Sequence, residues 1–248
     1  MKLAIFQTAL GQLLRQQNSK DPLRGMQLDE GQRRYFDGLR KTAGFKCYAG
    51  IQRSWCLGRS AKSARLTLSV LAADKRQFLL DQWVEAGGGT HSFYEVESES
   101  FLEFISQQLP DPSHELTVCH LEQATLRANL GIAELPASPA ASDASPLINL
   151  TRIVRRGAYA QLVCVHGDPQ ALLVSIEKNE PLPPLSANLV HLMFSPGLPH
   201  LWHEPSTEEL DIWKSLATPV PAAKLIDAGH SPDTIERLLR QGTIEYPK

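Results

Sequence analysis

The sequence predicts an α+β protein, with an all-helical N-terminal domain followed by a domain of short strands and three helices. Apolar residues recur at helical spacing as far as Gly131. An Ala/Ser/Pro-rich stretch with no apolar period follows, and beyond it short apolar runs alternate with turn residues. We therefore assign 1–132 to a helical domain, 133–147 to a linker and 148–248 to the strand-containing domain.

The N-terminal domain is predicted to be helical from its apolar spacing and capping patterns. Leu3, Phe6, Leu10 and Leu14 share one helical face. Ser100 and Glu103 form a capping-box pattern that predicts a helix start ahead of Phe104. A further helix is predicted to run through Leu116, Cys119 and Leu126 and to end at Gly131.

Strands and then helices are predicted after the linker. Four runs rich in Val, Leu and Ile predict strands: Thr151–Arg155, Ala158–Val165, Ala171–Ile176 and Leu189–Phe194. Three helices are predicted next: Ser206–Leu216 with a Ser206/Glu209 capping box, Pro221–Ala228, and Ser231–Gln241 ended by Gly242. A last strand is predicted at Thr243–Tyr246, and this order is that of a winged-helix-like domain.

Composition and motifs favour a cytoplasmic protein that carries out no chemistry alone. The 248 residues are 42% hydrophobic with a net charge of −2, and no apolar run is long enough for a membrane span. Cys47, Cys56, Cys119 and Cys164 lack the paired spacing of zinc ligands, so we interpret them as reduced thiols. The sequence contains no P-loop, nucleophile elbow or zinc-binding helix motif. We therefore expect no catalytic residue, metal or cofactor in this chain.

Charge is distributed unevenly along the N-terminal half. Between residues 24 and 76 there are 12 Lys/Arg and 4 Asp/Glu, whereas 77–147 contains 1 and 11. One interpretation is that the basic side, with Arg33, Arg34, Arg40 and Lys41, docks an acidic partner. The other is that the basic and acidic segments form neighbouring helices that attract each other within the chain.

The predicted helix Ser231–Gln241 lacks the positive charge of a DNA-reading helix. Its two acidic residues balance Arg237 and Arg240, and residues 151–248 contain 9 Lys/Arg and 11 Asp/Glu. We therefore expect no nucleic-acid partner. A strand edge beside such a helix can instead bind an extended peptide. The candidate peptide site is the predicted strand Pro199–His203, with His200, Leu201, Trp202 and His203, together with Arg237 and Arg240. The alternative for Trp202 is a core position.

Two segments carry a resemblance to a known family: FYEVESESFLEFISQQLPDPSHELTVCHLEQATLRANLG and LVHLMFSPGLPHLWHEPSTEELDIWKSL. With the order of elements, they resemble the partner subunits of multinuclear non-heme iron oxidases in ribosomal peptide natural product biosynthesis. The resemblance is to the 3-thiaglutamate type and, more distantly, to the methanobactin type.

This resemblance implies a non-catalytic subunit with a RiPP recognition element. Such a subunit binds the leader of a precursor peptide and forms a heterodimer with an iron-dependent oxidase, which holds the iron. In the 3-thiaglutamate case the pair removes the β-carbon of a carboxyl-terminal cysteine. The sequence leaves two alternatives open. One is a transcription regulator in which the basic segment 24–76 touches DNA and the winged-helix-like domain acts as a sensor. The other is a self-sufficient enzyme with a Cys or His nucleophile.

Overall fold

The structure is a computed structural model that describes residues 3–16, 19–89, 94–135 and 148–247, without the side chains of 94 and 95. The fold is mixed α+β, and the chain forms two compact units, Met1–Ile105 and Ser106–Lys248. No described helix is long and apolar enough to cross a membrane.

The first unit is built from helices. They are α1 (Leu3–Arg15), α2 (Glu30–Lys41), α3 (Ala43–Ser63), α4 (Arg65–Val70), α5 (Ala73–Glu85) and α6 (Tyr94–Ser106). The predicted first helix is confirmed as α1. The capping box at Ser100 and Glu103 is wrong as a helix start, because both residues lie inside α6, which begins at Tyr94.

The core of the first unit lies where α1, α2 and α3 meet. Ala9, Leu13, Phe36, Phe45 and Ala49 are buried together there. Thr42 alone separates α2 from α3, and its side chain accepts a hydrogen bond from the Phe45 N–H at the start of α3. The chain therefore turns sharply between these two helices while both pack on α1.

The described residues of the second unit form five helices and six short strands. The helices are α7 (His114–Gly131), α8 (Pro169–Lys178), α9 (Thr207–Ser215), α10 (Ala222–Asp227) and α11 (Pro232–Arg240). The strands are β1 (Ile153–Arg156), β2 (Gln161–His166), β3 (Leu189–Phe194), β4 (Trp202–His203), β5 (Val220–Pro221) and β6 (Ile244–Glu245). A 3₁₀ turn, Ile132–Glu134, follows α7.

The strands form two antiparallel sheets of three strands each, in the orders β5-β1-β6 and β2-β3-β4. β1 pairs with β5 through Ile153 and Val154, and with β6 through Arg155 and Arg156. β2 and β3 pair over their full length, from Gln161 opposite Phe194 to His166 opposite Leu189. β2 and β3 thus form an antiparallel pair connected through α8, with β2 at a sheet edge.

Each sheet has its own hydrophobic core. The first sheet packs with α9, α10 and α11 around Val154, Ile212, Leu225, Ile235, Leu238 and Ile244. The second packs on α7 around Leu121, Ala124, Val163, Val165, Leu192 and Phe194. The helix that we grouped with the N-terminal domain, α7, therefore lies in the second compact unit. Residues 136–147, which make up most of the predicted linker, lie outside the described residues.

The predicted strand Ala171–Ile176 is wrong, because this segment belongs to helix α8. The Asp168 side chain accepts hydrogen bonds from the N–H groups of Gln170 and Ala171, and Pro169 occupies the first helical turn. Both are strong helix-start signals. The apolar run that follows fits a buried helix face as well as a strand, so its start signals decide its structure.

The predicted end of the last helix is confirmed. Gly242 has a φ of 69°, which favours glycine, and it follows the last helical residues directly. The N–H groups of Gly242 and Thr243 donate to the carbonyl groups of Leu239 and Leu238, which is the hydrogen-bond pattern of a Schellman motif. This turn directs the chain into β6.

Candidate functional site

The predicted strand Pro199–His203 is shorter than expected. Leu201 has a φ of 65°, in the left-handed region, and only Trp202 and His203 are extended and paired with β3. The strand prediction is therefore wrong for Pro199 to Leu201, which lie in a turn. His200 is exposed in the turn before β4.

Trp202 contacts the core of the second sheet. Its ring centroid lies 6.4 Å from that of Phe194, and it packs partly buried against the α7 and β2-β3 cluster. This contact matches the core interpretation of Trp202.

Glu209 connects β4 to α11. Its side chain is 3% exposed, and its Oε1 atom lies 3.1 Å from His203 Nε2 and 3.0 Å from Arg237 Nη1. Its Oε2 atom accepts a 2.7 Å hydrogen bond from the Ser206 N–H. The structure therefore joins two predicted site residues, His203 and Arg237, through a carboxylate that the sequence assigned only to helix capping.

The environment of Glu209 favours its charged form. Burial, the largest effect, raises the pKa of this carboxyl group, but the Ser206 N–H, His203 and Arg237 together lower it below its usual value. Burial of a carboxylate is costly unless it is paired and hydrogen-bonded, and Glu209 has both kinds of partner. The arrangement positions α11 rather than exposing a reactive acid.

Glu208 holds the beginning of α11. Its carboxylate accepts hydrogen bonds from the Ser231 N–H at 2.6 Å and from Thr234 Oγ1 at 2.7 Å. The Ser231 N–H, followed by Thr234, lowers the pKa of Glu208. Two adjacent carboxylates of α9 thus fix α11, one at its first turn and one at Arg237.

The outer surface of α11 carries balanced charge. Arg240 forms a hydrogen-bonded ion pair with Glu236, and Arg237 pairs with Glu209. A shallow, open cavity of about 500 Å³ on this surface is lined by Asp233, Glu236, Arg237, Arg240 and Gln241. Arg237 and Arg240 therefore each already pair with a carboxylate.

A second cleft, which the sequence did not predict, follows the edge of β2. Its volume is about 450 Å³, and it lies between β2 and the first turns of α7. It is lined from α7 by Leu116, Thr117, His120 and Gln123, and from β2 by Gln161, Leu162, Val163, Cys164 and His166. Because adjacent strand residues point to opposite faces, a cleft lined by both sets must include the strand edge.

The edge of β2 has no second strand partner among the described residues, and its last carbonyl group, that of His166, accepts a 3.4 Å hydrogen bond from the Ser186 N–H. β2 is the terminal strand of its sheet, and β3 is its only described strand partner. The Oε1 atom of Gln161 in the cleft is buried and receives no hydrogen bond from the described residues. Cys164 is exposed at the centre of the strand. The cleft thus combines backbone groups, an unpaired carbonyl and apolar side chains.

His120 provides a titratable group on the helical wall of the cleft. Burial lowers the pKa of His120, while the nearby Asp111 carboxylate raises it by a smaller amount. The imidazole is therefore held in its neutral form. Among the described residues, no three His, Cys, Asp or Glu side chains are grouped to hold a metal ion.

The predicted docking residues of the first unit have mixed environments. Arg33 donates to the Met26 carbonyl at 3.1 Å, and Arg40 donates to the Ser19 carbonyl at 2.8 Å, so both brace the segment before α2. Arg34 pairs with Glu30 on the surface, and Lys41 is exposed. Arg53 of α3 forms an ion pair with Asp81 of α5, an example of the internal basic-to-acidic contact that the sequence left open.

Comparison with known proteins yields no assignment. No protein-family model matches the chain, and no curated protein has a significantly similar sequence.

Proposed function

We propose that this chain is a non-catalytic subunit that binds the leader of a ribosomally made precursor peptide. In this proposal the subunit forms a heterodimer with an iron-dependent oxidase and presents the cysteine of the peptide to it. The reaction would be β-carbon excision of the 3-thiaglutamate type, and the iron would belong to the oxidase. The observation that carries the proposal is the open edge of β2 beside α7.

Backbone chemistry makes this edge suited to a peptide. The outer N–H and C=O groups of an edge strand can pair with any extended segment, whatever its side chains. β2 is six residues long, which offers several such groups in a row. A peptide that adds to β2 would extend the β2-β3-β4 sheet by one strand.

The side chains that line the cleft would determine which peptide sequences bind. Alternate side chains of an added strand point to opposite faces of the sheet. One set would meet Thr117, His120 and Gln123 on α7, and the other would lie near Leu162 and Cys164 on the outer face.

The module formed by β1, β5, β6 and α9–α11 is, in this proposal, the winged-helix-like part of the recognition domain. Glu208 and Glu209 hold α11 in it. The surface around Arg237 and Arg240 stays a predicted second contact for the leader.

The transcription-regulator alternative receives less support. A helix that reads DNA needs cations free to meet phosphates. In α11, Arg237 and Arg240 are engaged by Glu209 and Glu236. We expect duplex DNA to bind with no better than the roughly 10⁻⁴ to 10⁻⁶ M affinity of non-specific contacts.

Calorimetry with backbone-methylated peptides tests the proposal. The probe is a synthetic leader of a Cys-ending precursor encoded by a neighbouring reading frame. Methylation of alternate backbone nitrogens removes every second N–H donor. We expect methylation of one alternate set to weaken binding to the full chain by about tenfold, because each lost hydrogen bond costs roughly 0.5 to 1.5 kcal/mol.

The other methylated set is the matched control, because its N–H groups point away from β2. Unchanged affinity for both sets would mean that the peptide does not add as a strand. Failure of the unmodified leader to bind would contradict the proposed function itself.

A further inference from the structure

Helix α3 in the first unit has one buried face and one exposed apolar face. The buried face carries Phe45, Ala49, Cys56, Ser60 and Ser63. A second face carries a row of exposed residues three or four positions apart, which we name the α3 row: Gly44, Tyr48, Ile51, Trp55, Gly58 and Lys62. Residues at this spacing lie above one another on a helix.

The apolar members of the α3 row are open to solvent. Tyr48, Ile51 and Trp55 are 50%, 61% and 63% exposed. Single exposed apolar side chains are ordinary, but a contiguous group of large ones marks an interaction surface. Ile51 and Trp55 also border a shallow cavity of about 410 Å³ with Gly58, Arg59 and Lys62.

Glycines make this face accessible to another backbone. A Cβ atom added at Gly44 or Gly58 would meet nothing within 4 Å, so packing among the described residues does not require glycine there. Each helical glycine costs about 0.5 to 1 kcal/mol relative to alanine. Small residues at a helix surface allow close approach of a second helix.

The positive charge of α3 favours an acidic partner. The 21 residues of α3 include four Lys/Arg and no Asp or Glu. Lys62, at the end of the α3 row, is exposed and has no carboxylate partner among the described residues, and Arg59 lies beside it in the cavity lining. Two copies of this face would bring like charges together, which opposes self-association through it.

We propose that the α3 row docks an acidic amphipathic helix of a partner protein. The apolar residues of that helix would pack between Tyr48, Ile51 and Trp55, and its carboxylates would meet Lys62. This surface lies in the first unit, so the proposal goes beyond peptide binding at β2 and does not depend on it.

The test uses two synthetic helical peptides of roughly 18 residues, the length of the α3 row at 1.5 Å per residue. Both carry leucine at alternating spacings of three and four, and they differ only in having glutamate or lysine beside the leucines. Fluorescence anisotropy measures their binding to the full chain. We expect saturable binding of the acidic peptide, and binding of the basic peptide at least about tenfold weaker.

Variants locate the contact. Ile51→Ser together with Trp55→Ser should weaken binding of the acidic peptide by about tenfold or more. Phe78→Ser is the matched control, because Phe78 is 57% exposed but lies on α5 outside the α3 row, and it should leave binding unchanged. Lys62→Glu, which removes no packing, should reduce the preference for the acidic peptide.

Three results would overturn the proposal. They are equal affinity for the two peptides, unchanged binding in the double variant, and no saturable binding of either peptide. Light scattering that detects a dimer dissolved by the double variant would also overturn it, since the occupant would then be a second copy. None of these results depends on the leader peptide, so they are separate from failure of the proposed function.

Discussion

Arg237 Nη1 lies 3.0 Å from the Oε1 atom of Glu209, whose side chain is almost completely buried. Arg237 itself is half exposed, so one end of this ion pair faces water and the other faces the core. The contact joins α9 to α11 across 28 positions of the chain. It makes Arg237 a part of the fold as well as of the surface.

The variant Arg237→Glu is expected to destabilise the second unit. It would place a second carboxylate beside Glu209 and remove a charge-assisted hydrogen bond, at a cost of about 1.5 to 3 kcal/mol. Arg240→Glu is the control, because Arg240 pairs on the surface with Glu236, and it should cost less than about 1 kcal/mol. Urea unfolding of both variants measures the difference. Equal stabilities would show that the Arg237 pair contributes little.

Glu209→Gln should have an effect that depends on pH. The pKa of Glu209 is lowered in the folded protein, so its charged form stabilises the fold above its unfolded value of about 4.5. This stabilisation is lost as the pH falls through the lower folded pKa. The difference in free energy of unfolding between wild type and Glu209→Gln should therefore be largest near pH 7 and shrink below about pH 4.5. The exposed Glu204→Gln is the control, and a pH-independent gap for Glu209→Gln would contradict the assignment.

His120 should also make the stability of the fold depend on pH, in this case through an imidazole instead of a carboxyl group. Because burial lowers the pKa of His120, the unfolded chain binds a proton first as the pH drops below the ordinary value of 6.5. The stability of the wild-type protein should therefore decrease as the pH falls below 6.5. The stability of the His120→Gln variant should decrease less steeply. Thermal unfolding between about pH 7.5 and 5.5 tests this expectation. Parallel curves of stability against pH for the two proteins would show that the pKa of His120 is the same in the folded and the unfolded protein.

Truncation should distinguish the two positions for the domain boundary. A fragment of residues 106–248 keeps α7, whose Leu121 and Ala124 cover Val163 and Val165 of β2. A fragment of residues 133–248 lacks this cover and leaves that apolar face exposed. We expect cooperative unfolding from the first fragment only. Cooperative unfolding of the shorter fragment would place α7 outside the folding unit.

Local signals in the sequence predict several elements well. The Ser206/Glu209 capping box marks the start of α9, and Gly242 marks the end of α11, because each reports a hydrogen-bond requirement of a helix end. The run Ala171–Ile176 was misassigned because apolar content alone does not separate a short strand from a helix. Asp168 and Pro169 carried the deciding information.

The candidate sites depend on contacts that a sequence does not display. The link from His203 through Glu209 to Arg237 joins three elements that are distant along the chain. The cleft beside β2 depends on the sheet order, which leaves β2 at an edge, and on α7 packing against the β2-β3 pair. Periodicity predicts which residues share a face, but not which elements become neighbours.

Protection of Cys164 from a thiol reagent tests the central claim most directly. Cys164 and Cys47 are the exposed cysteines, whereas Cys56 and Cys119 are buried. Cys164 lies in the β2 cleft and Cys47 lies on α3 in the first unit, so each chain contains its own control.

The probe is the leader peptide with its cysteine replaced by serine. Its binding is followed by maleimide labelling of the protein and mass spectrometry. A peptide added along β2 should slow labelling of Cys164 by about tenfold or more, as expected when more than about 90% of sites are occupied, and leave Cys47 unchanged. Unchanged labelling of Cys164, at peptide concentrations that calorimetry shows to be saturating, would contradict binding at this edge.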